Sequence, residues 1–149
     1  MSLSFTQGPA GLEFETQSVT VTCNDAVLKG NVVTFILADG GYAACAKAAT
    51  ADSTPDHILG VALEDIGAGA QGRVGMRGVF QVLCRSALDT GELAVVGGAA
   101  GELNAIVINP TADGTAYEKP VGIALDVPGS GGLGTVLFDG ITGFASQAN

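Results

Sequence analysis

Short stretches of alternating apolar and polar residues, separated by turn-forming clusters, dominate the chain. Ser18-Val19-Thr20-Val21-Thr22-Cys23 alternates strictly and is rich in β-branched side chains, the mark of a strand with one face buried. Asn31 to Leu37 is a continuous β-branched and aromatic run, and Leu103-Asn104-Ala105-Ile106-Val107-Ile108 is another, stopped by Asn109-Pro110. Turn signals stand between such runs at Asn24-Asp25, Asp39-Gly40-Gly41, Gly97-Gly98 and Asp113-Gly114. Strands at spacings of about ten residues predict an all-β sandwich or barrel. Ala43 to Ala51 is Ala-rich enough for a helix, but it follows a Gly-Gly turn and lacks an N-cap, so it reads as strand or loop.

A repeat organises the second half of the pattern. Residues 60–79 read GVALEDIGAGAQGRVGMRGV and residues 122–141 read GIALDVPGSGGLGTVLFDGI, with eight identities in twenty ungapped positions. Upstream, Leu28-Lys29-Gly30-Asn31 matches Asp89-Thr90-Gly91-Glu92 at an offset one residue shorter. The expected architecture is therefore two related β lobes, built as a sandwich or as tandem small barrels. An N-terminal extended arm (1–17) precedes a first lobe (18–85) and a second (86–142), and a tail (143–149) follows. Two copies are too few for a solenoid.

Composition narrows the function classes. Only 14% of the 149 residues are charged, against roughly 25% in ordinary soluble domains, while 47% are hydrophobic and 23 are Gly. So few charges cannot cover a small domain, which implies that other subunits cover part of the surface. A net charge of -9 with six Lys+Arg speaks against nucleic acid as a partner. The longest apolar run, Val32 to Ala38, is far short of a bilayer span, so no membrane partner is expected. No Lys or Arg precedes Lys29, which argues against a secretory signal. Cys23, Cys45 and Cys84 contain no C-x-x-C and read as reduced, buried thiols.

Candidate chemistry is sparse. Both repeats carry G-x-G-x-x-G, at Gly67-Gly69-Gly72 and Gly129-Gly131-Gly134. A dinucleotide site needs a helix directly after these glycines. The residues that follow read as strand, so the motif predicts Gly-rich loops between strands and no cofactor. Glu64-Asp65 and Asp126 fall at matching strand ends, and Asp52-Ser53-Thr54-Pro55-Asp56-His57 sets two carboxylates near the sole His. These residues offer acid–base or divalent-ion chemistry in principle, but no spaced ligand set completes a metal site. Without a G-x-S-x-G elbow, nucleophilic catalysis would rest on His57 alone. The reading is no catalytic residue, no metal site and no enzyme.

Interaction residues are the stronger candidates. Arg73, Arg77 and Arg85 are half of the basic residues, and Arg73 and Arg77 share a face if the segment is a strand. They would meet an acidic partner surface. Phe5, Leu12 and Phe14 lie among Gly, Pro, Ser and Glu and suit docking on a core, a sister subunit or another protein.

The order of these motifs resembles that of small bacteriophage capsid decoration (cement) proteins. Ala26 to Val33 is similar to their opening strand. Ile58-Leu59-Gly60-Val61-Ala62-Leu63-Glu64-Asp65-Ile66-Gly67-Ala68-Gly69 resembles their hydrophobic-G-V-A, acidic turn and A-G signature, and Gly72-Arg73-Val74 through Gly78-Val79-Phe80 resembles the strand that follows. Asp89-Thr90-Gly91-Glu92, Val121-Gly122-Ile123-Ala124 and Gly134 to Phe138 are similar to the second half. The likeness spans residues 18–140. It implies an all-β virion protein, made in the host cytoplasm, that binds the outer surface of an assembled head. The implied partners are the major capsid protein and itself, as a homotrimer at three-fold and quasi-three-fold positions. It implies no catalysis and no cofactor. The rival classes are a receptor- or host-surface-binding β module of a fibre or head appendage, and a small enzyme built around His57. Zero Trp and 5% aromatics weaken the receptor class.

Overall fold

A computed structural model describes residues 2–7, 13–37, 43–47, 58–96, 100–105, 120–127, 129 and 131–138. All regular structure among them is β. The strands are β1 (Ser2–Gln7), β2 (Glu13–Cys23), β3 (Val32–Leu37), β4 (Ala43–Lys47), β5 (Ile58–Ala62), β6 (Gln71–Cys84), β7 (Leu93–Val96), β8 (Leu103–Ala105), β9 (Pro120–Asp126) and β10 (Gly132–Phe138). The Ala-rich segment is thus a strand at Ala43–Lys47.

The strands close into two five-stranded barrels in tandem. In the first, β2 pairs with β4, β4 with β3, β3 with β5, β5 with β6, and β6 returns to β2. In the second, β6 pairs with β8, β8 with β7, β7 with β9, β9 with β10, and β10 returns to β6. The connectivity is the same in both, down to one parallel pair in each, β2–β4 and β6–β8. Of the two architectures open to the sequence, the tandem small barrels are the one formed. Closure removes the exposed sheet edges that a small open sheet would leave.

A single strand serves both barrels. β6 is 14 residues long, against a usual five or six. Its first half, Gln71 to Arg77, pairs with β2, and its second half, Gly78 to Cys84, pairs with β10. The N-terminal arm is a hairpin, in which β1 pairs antiparallel with β2 from Ser2↔Ser18 to Gln7↔Glu13.

The repeat carries through to the core. Cys23, Val27, Val33, Ala62, Ile66 and Val74 are buried together inside the first barrel. Each has a counterpart inside the second, in Cys84, Leu88, Ala94, Ala124, Val127 and Val136. An isolated bridge between Val27 and Ile66 recurs as Leu88 with Val127. Phe80 and Phe138 enlarge the second core, with ring centroids 6.3 Å apart in an edge-to-face arrangement. Val32 and Val61 leave the first barrel and join this second cluster. The start of β3 is therefore buried on both faces, Val33 inward and Val32 toward the neighbouring barrel, while Phe35 further along is exposed. That double burial explains why the strand opens on a continuous apolar run and not on an alternation.

The junction between the barrels is held at one turn. Gly30 takes the positive φ of 89° that the turn from Leu28 to Asn31 needs, as Gly91 does at 88° in the second barrel. The Gly30 carbonyl accepts from the Leu83 N–H at 2.8 Å, and the Val32 N–H donates to the Gly101 carbonyl at 2.8 Å. Asn31, buried, accepts from the Leu28 N–H through Oδ1 and donates to the Gly101 carbonyl through Nδ2. Asn31→Ala would strand the Leu28 N–H and take one of two donors from the Gly101 carbonyl, which keeps the Val32 N–H. The expected loss is about 1–3 kcal/mol, read as a lower urea midpoint at unchanged slope; a midpoint equal to wild type would deny Asn31 this role.

Cys23 departs from the reduced, buried thiol expected, and Cys84 conforms to it. Cys23 is disulfide-bonded, and the β2–β4 register sets Cys45 directly opposite it. A directly opposed pair brings two Cα atoms within disulfide range, which the linear spacing of the cysteines does not reveal. Cys84, the counterpart of Cys23, is free and buried, and burial pushes its thiol pKa up.

Candidate interaction surfaces

Arg73 and Arg77 are both exposed on β6, but they do not share a face. Arg73 stands opposite Thr20 and Arg77 opposite Gln17, with a register shift between Gln17 and Ser18. Four residues along β6 thus span three along β2. Such a bulge breaks the period-two alternation, and the two guanidinium groups fall on opposite faces of the ladder. Arg73 is further engaged with its own chain. Its N–H donates to Glu64 Oε1 at 2.8 Å and its Nε lies 3.9 Å from the same oxygen. At these exposures, 60% and 45%, the ion pair adds little stability. Arg77 is the freer candidate for an acidic partner.

The three apolar candidates of the arm are separated by the hairpin. Phe5 stands on β1 opposite Glu15, and Phe14 stands on β2 opposite Thr6. Leu12 lies outside the described residues, as does the Asp52–His57 segment with the His57 that any enzyme reading requires.

The paired carboxylates at Glu64-Asp65 act on the backbone. Asp65 Oδ1 accepts from the Lys29 N–H at 2.8 Å, and Glu64 accepts from Arg73. Asp65 satisfies a turn N–H at Lys29, and Glu64 satisfies the N–H of Arg73 on β6. Among the described residues no three of His, Cys, Asp and Glu gather as a metal set.

The Gly-rich motifs have steric explanations in both barrels. Gly69 and Gly131 adopt φ of 76° and 75°, where a Cβ is disfavoured. A Cβ on Gly72 would lie 2.4 Å from Ile66 side-chain atoms, and one on Gly134 would lie 2.6 Å from Val127. Strands β6 and β10 follow, where a dinucleotide site would place a helix.

Among the described residues the exposed large apolar side chains are Leu28, Phe35, Leu93, Ile123 and Leu133. None was singled out by sequence reasoning, because each belongs to a strand or turn whose apolar residues read as core. Leu93 and Ile123 stand opposite each other on β7 and β9, and Leu137 on β10 stands opposite Ile123. The three form one in-register apolar row on the second barrel.

No family model and no curated protein matches the chain. A solved structure does: the crystal structure of the head fibre gp8.5 N base in bacteriophage phi29 is similar, with a TM-score of 0.59 and 19% identity. The similarity covers 90% of this chain and 98% of that one. At this identity the likeness establishes the fold. The likeness runs through both barrels and is not confined to one half of the chain.

Proposed function

We propose that the chain is a structural protein of a phage virion that seats on the outer surface of the assembled head. The observation that carries this reading is the fold shared with a phage head fibre base over nearly the whole of both chains. The surface agrees with it, with 14% charged residues and exposed Leu and Ile side chains in place of a polar shell. The finer reading is a decoration protein. A homotrimer would bind the major capsid protein at three-fold and quasi-three-fold positions and brace the shell, with no catalytic step and no cofactor. Binding that prefers the assembled shell stabilises it by linkage, and a trimer gathers several weak contacts into one strong attachment.

A second reading has a specific observation behind it. The structural neighbour is the N base of a head fibre, so the chain could equally serve as the seat of a receptor- or host-surface-binding appendage. The two readings differ in what attachment does to the shell. Purified protein is expected to co-sediment with expanded heads and to raise the temperature at which they release DNA, along with their resistance to chelator. Binding without any gain in shell stability selects the appendage base. Absence of binding to heads defeats both.

A further inference from the structure

The first barrel carries a row of residues in register across three strands: Val32 on β3, Val61 on β5 and Gly75 on β6. Their chain neighbours Val33, Ala62 and Val74 point into the first core, so the row faces outward by alternation. It is nevertheless fully covered. Val32 and Val61 are 0% exposed and belong to the hydrophobic cluster of the second barrel. The Phe80 ring lies so close over Gly75 that a Cβ there would meet it at 2.4 Å.

The second barrel has the same row at the equivalent positions, made of Leu93, Ile123 and Leu137. Their neighbours Ala94, Ala124 and Val136 point into the second core. Here nothing covers the outward residues fully: Leu93 is 40% exposed, Ile123 38%, and Leu137 is half-buried. The turns that lead into the two rows differ in the same sense. Gly30 is hemmed in by Leu83 and Leu133, whereas Gly91 has no neighbour within 4 Å of where a Cβ would stand. One surface thus occurs twice in the chain, once covered by a barrel and once uncovered, and the uncovered version carries the larger apolar side chains.

We infer that the Leu93–Ile123–Leu137 row is the docking surface for a second copy of this chain. The occupant follows from the internal junction. What covers the equivalent row is a barrel of this same repeat, and another copy supplies the next such barrel. The row provides the apolar centre of the contact, around which a polar rim completes the interface. A contact that repeats the internal junction is head-to-tail, and such a contact closes into a ring or runs on as a filament. The trimer proposed above is its closed form. The inference rests on the self-association in that reading and names the surface responsible.

Size-exclusion chromatography with light scattering tests it on the full chain. Wild type is expected to elute as an oligomer at concentrations up to about 100 μM. Leu93→Glu with Ile123→Glu is expected to weaken association by about tenfold or more and to give monomer. Leu28→Glu, more exposed than either and off the row, is expected to leave the oligomer intact. Circular dichroism checks that each variant is folded. Should the double variant fail to fold, p-benzoylphenylalanine in place of Leu93 gives the second reading, a covalent dimer on illumination. A wild-type monomer throughout the range, an oligomer indifferent to the double variant, or no photo-crosslink would each overturn the assignment. Head binding is scored separately by co-sedimentation, so that failure of the head-surface reading and failure of the row are told apart.

Discussion

Gly60→Ala is expected to be the most damaging single-methyl change in the protein. A Cβ at Gly60 would lie 1.9 Å from the Gly75 carbonyl oxygen, 2.8 Å from its carbon and 3.1 Å from Met76 Cα. All three are backbone atoms of β6, so no side chain can swing aside. Relief requires β5 and β6 to separate, and their pairing through Val61↔Gly75 and Ala62↔Val74 closes the first barrel. The expected destabilisation is about 3 kcal/mol or more, at the upper end for overpacking, out of the roughly 5–15 kcal/mol a domain has in total. For a chain of this size that is a fall in Tm of about 10 °C. Gly122 is the equivalent position in the second barrel, and its nearest obstacles are Val136 Cγ1 at 2.7 Å and the Leu137 carbonyl oxygen at 2.8 Å. One of these is a movable methyl, and the backbone contact is less severe. Gly122→Ala is therefore expected to lower Tm by less than Gly60→Ala does. Thermal melts of the two variants side by side check the order; equal or reversed losses would show that barrel closure tolerates more strand separation than these distances allow.

The same glycines account for what was legible in the sequence. The repeat stood out in part because some of its identities sit where backbone approaches backbone or where φ is positive, as at Gly60/Gly122 and Gly69/Gly131. Substitution there is strongly penalised, so two diverged halves keep them in phase. The alternation in Ser18 to Cys23 was also legible, since Val19 and Val21 pack against the first core while Thr20 is exposed. The sharing of β6 was not. A linear repeat shows that two units exist, and nothing in it says that the last strand of one is the first strand of the next. The choice between sandwich and barrels depended on that sharing and on the parallel pairs β2–β4 and β6–β8, which are set by chain crossing and not by any local pattern.

The site was less legible than the fold. Arg73 and Arg77 were paired on the assumption of regular alternation, and a bulge at their own strand undid it. The apolar row at Leu93, Ile123 and Leu137 escaped notice because a buried strand and an exposed one can carry the same residues. Only the comparison with Val32, Val61 and Gly75, whose outward faces are covered by the next barrel, marks it as a surface missing its partner. Cys23 and Cys84 are equivalent positions that read alike in the sequence. Their fates differ, since Cys23 is disulfide-bonded and Cys84, with Leu103 opposite it on β8, is a free buried thiol.

Phe80 lies where β6 passes from one barrel to the other, and Phe80→Ala is expected to loosen that junction as well as the second core. The ring is 7% exposed, meets Phe138 edge-on, and covers Gly75 on the outer face of the first barrel. Truncating a buried Phe removes its transfer free energy and leaves a cavity, about 3–5 kcal/mol together. Part of that loss belongs to the aromatic pair, so a double-mutant cycle with Phe138→Ala is expected to return a coupling of about 0.5–1.5 kcal/mol. The cavity would open in the cluster that holds Val32 and Val61, the residues that with the partly buried Ile58 and Leu63 tie the first barrel into the second core. With that tie weakened, the barrels keep β6, the packing of Ile58 and Leu63 against the second cluster, and the backbone bonds at Gly30 and Gly101 among the contacts of the described residues. Wild type is therefore expected to melt calorimetrically as one cooperative unit. Phe80→Ala should melt earlier and in two steps, with the second barrel, which loses its own core residue, unfolding first. A single sharp transition in the variant, merely displaced to lower temperature, would mean that the shared strand alone couples the barrels and that the aromatic pair contributes only to local burial.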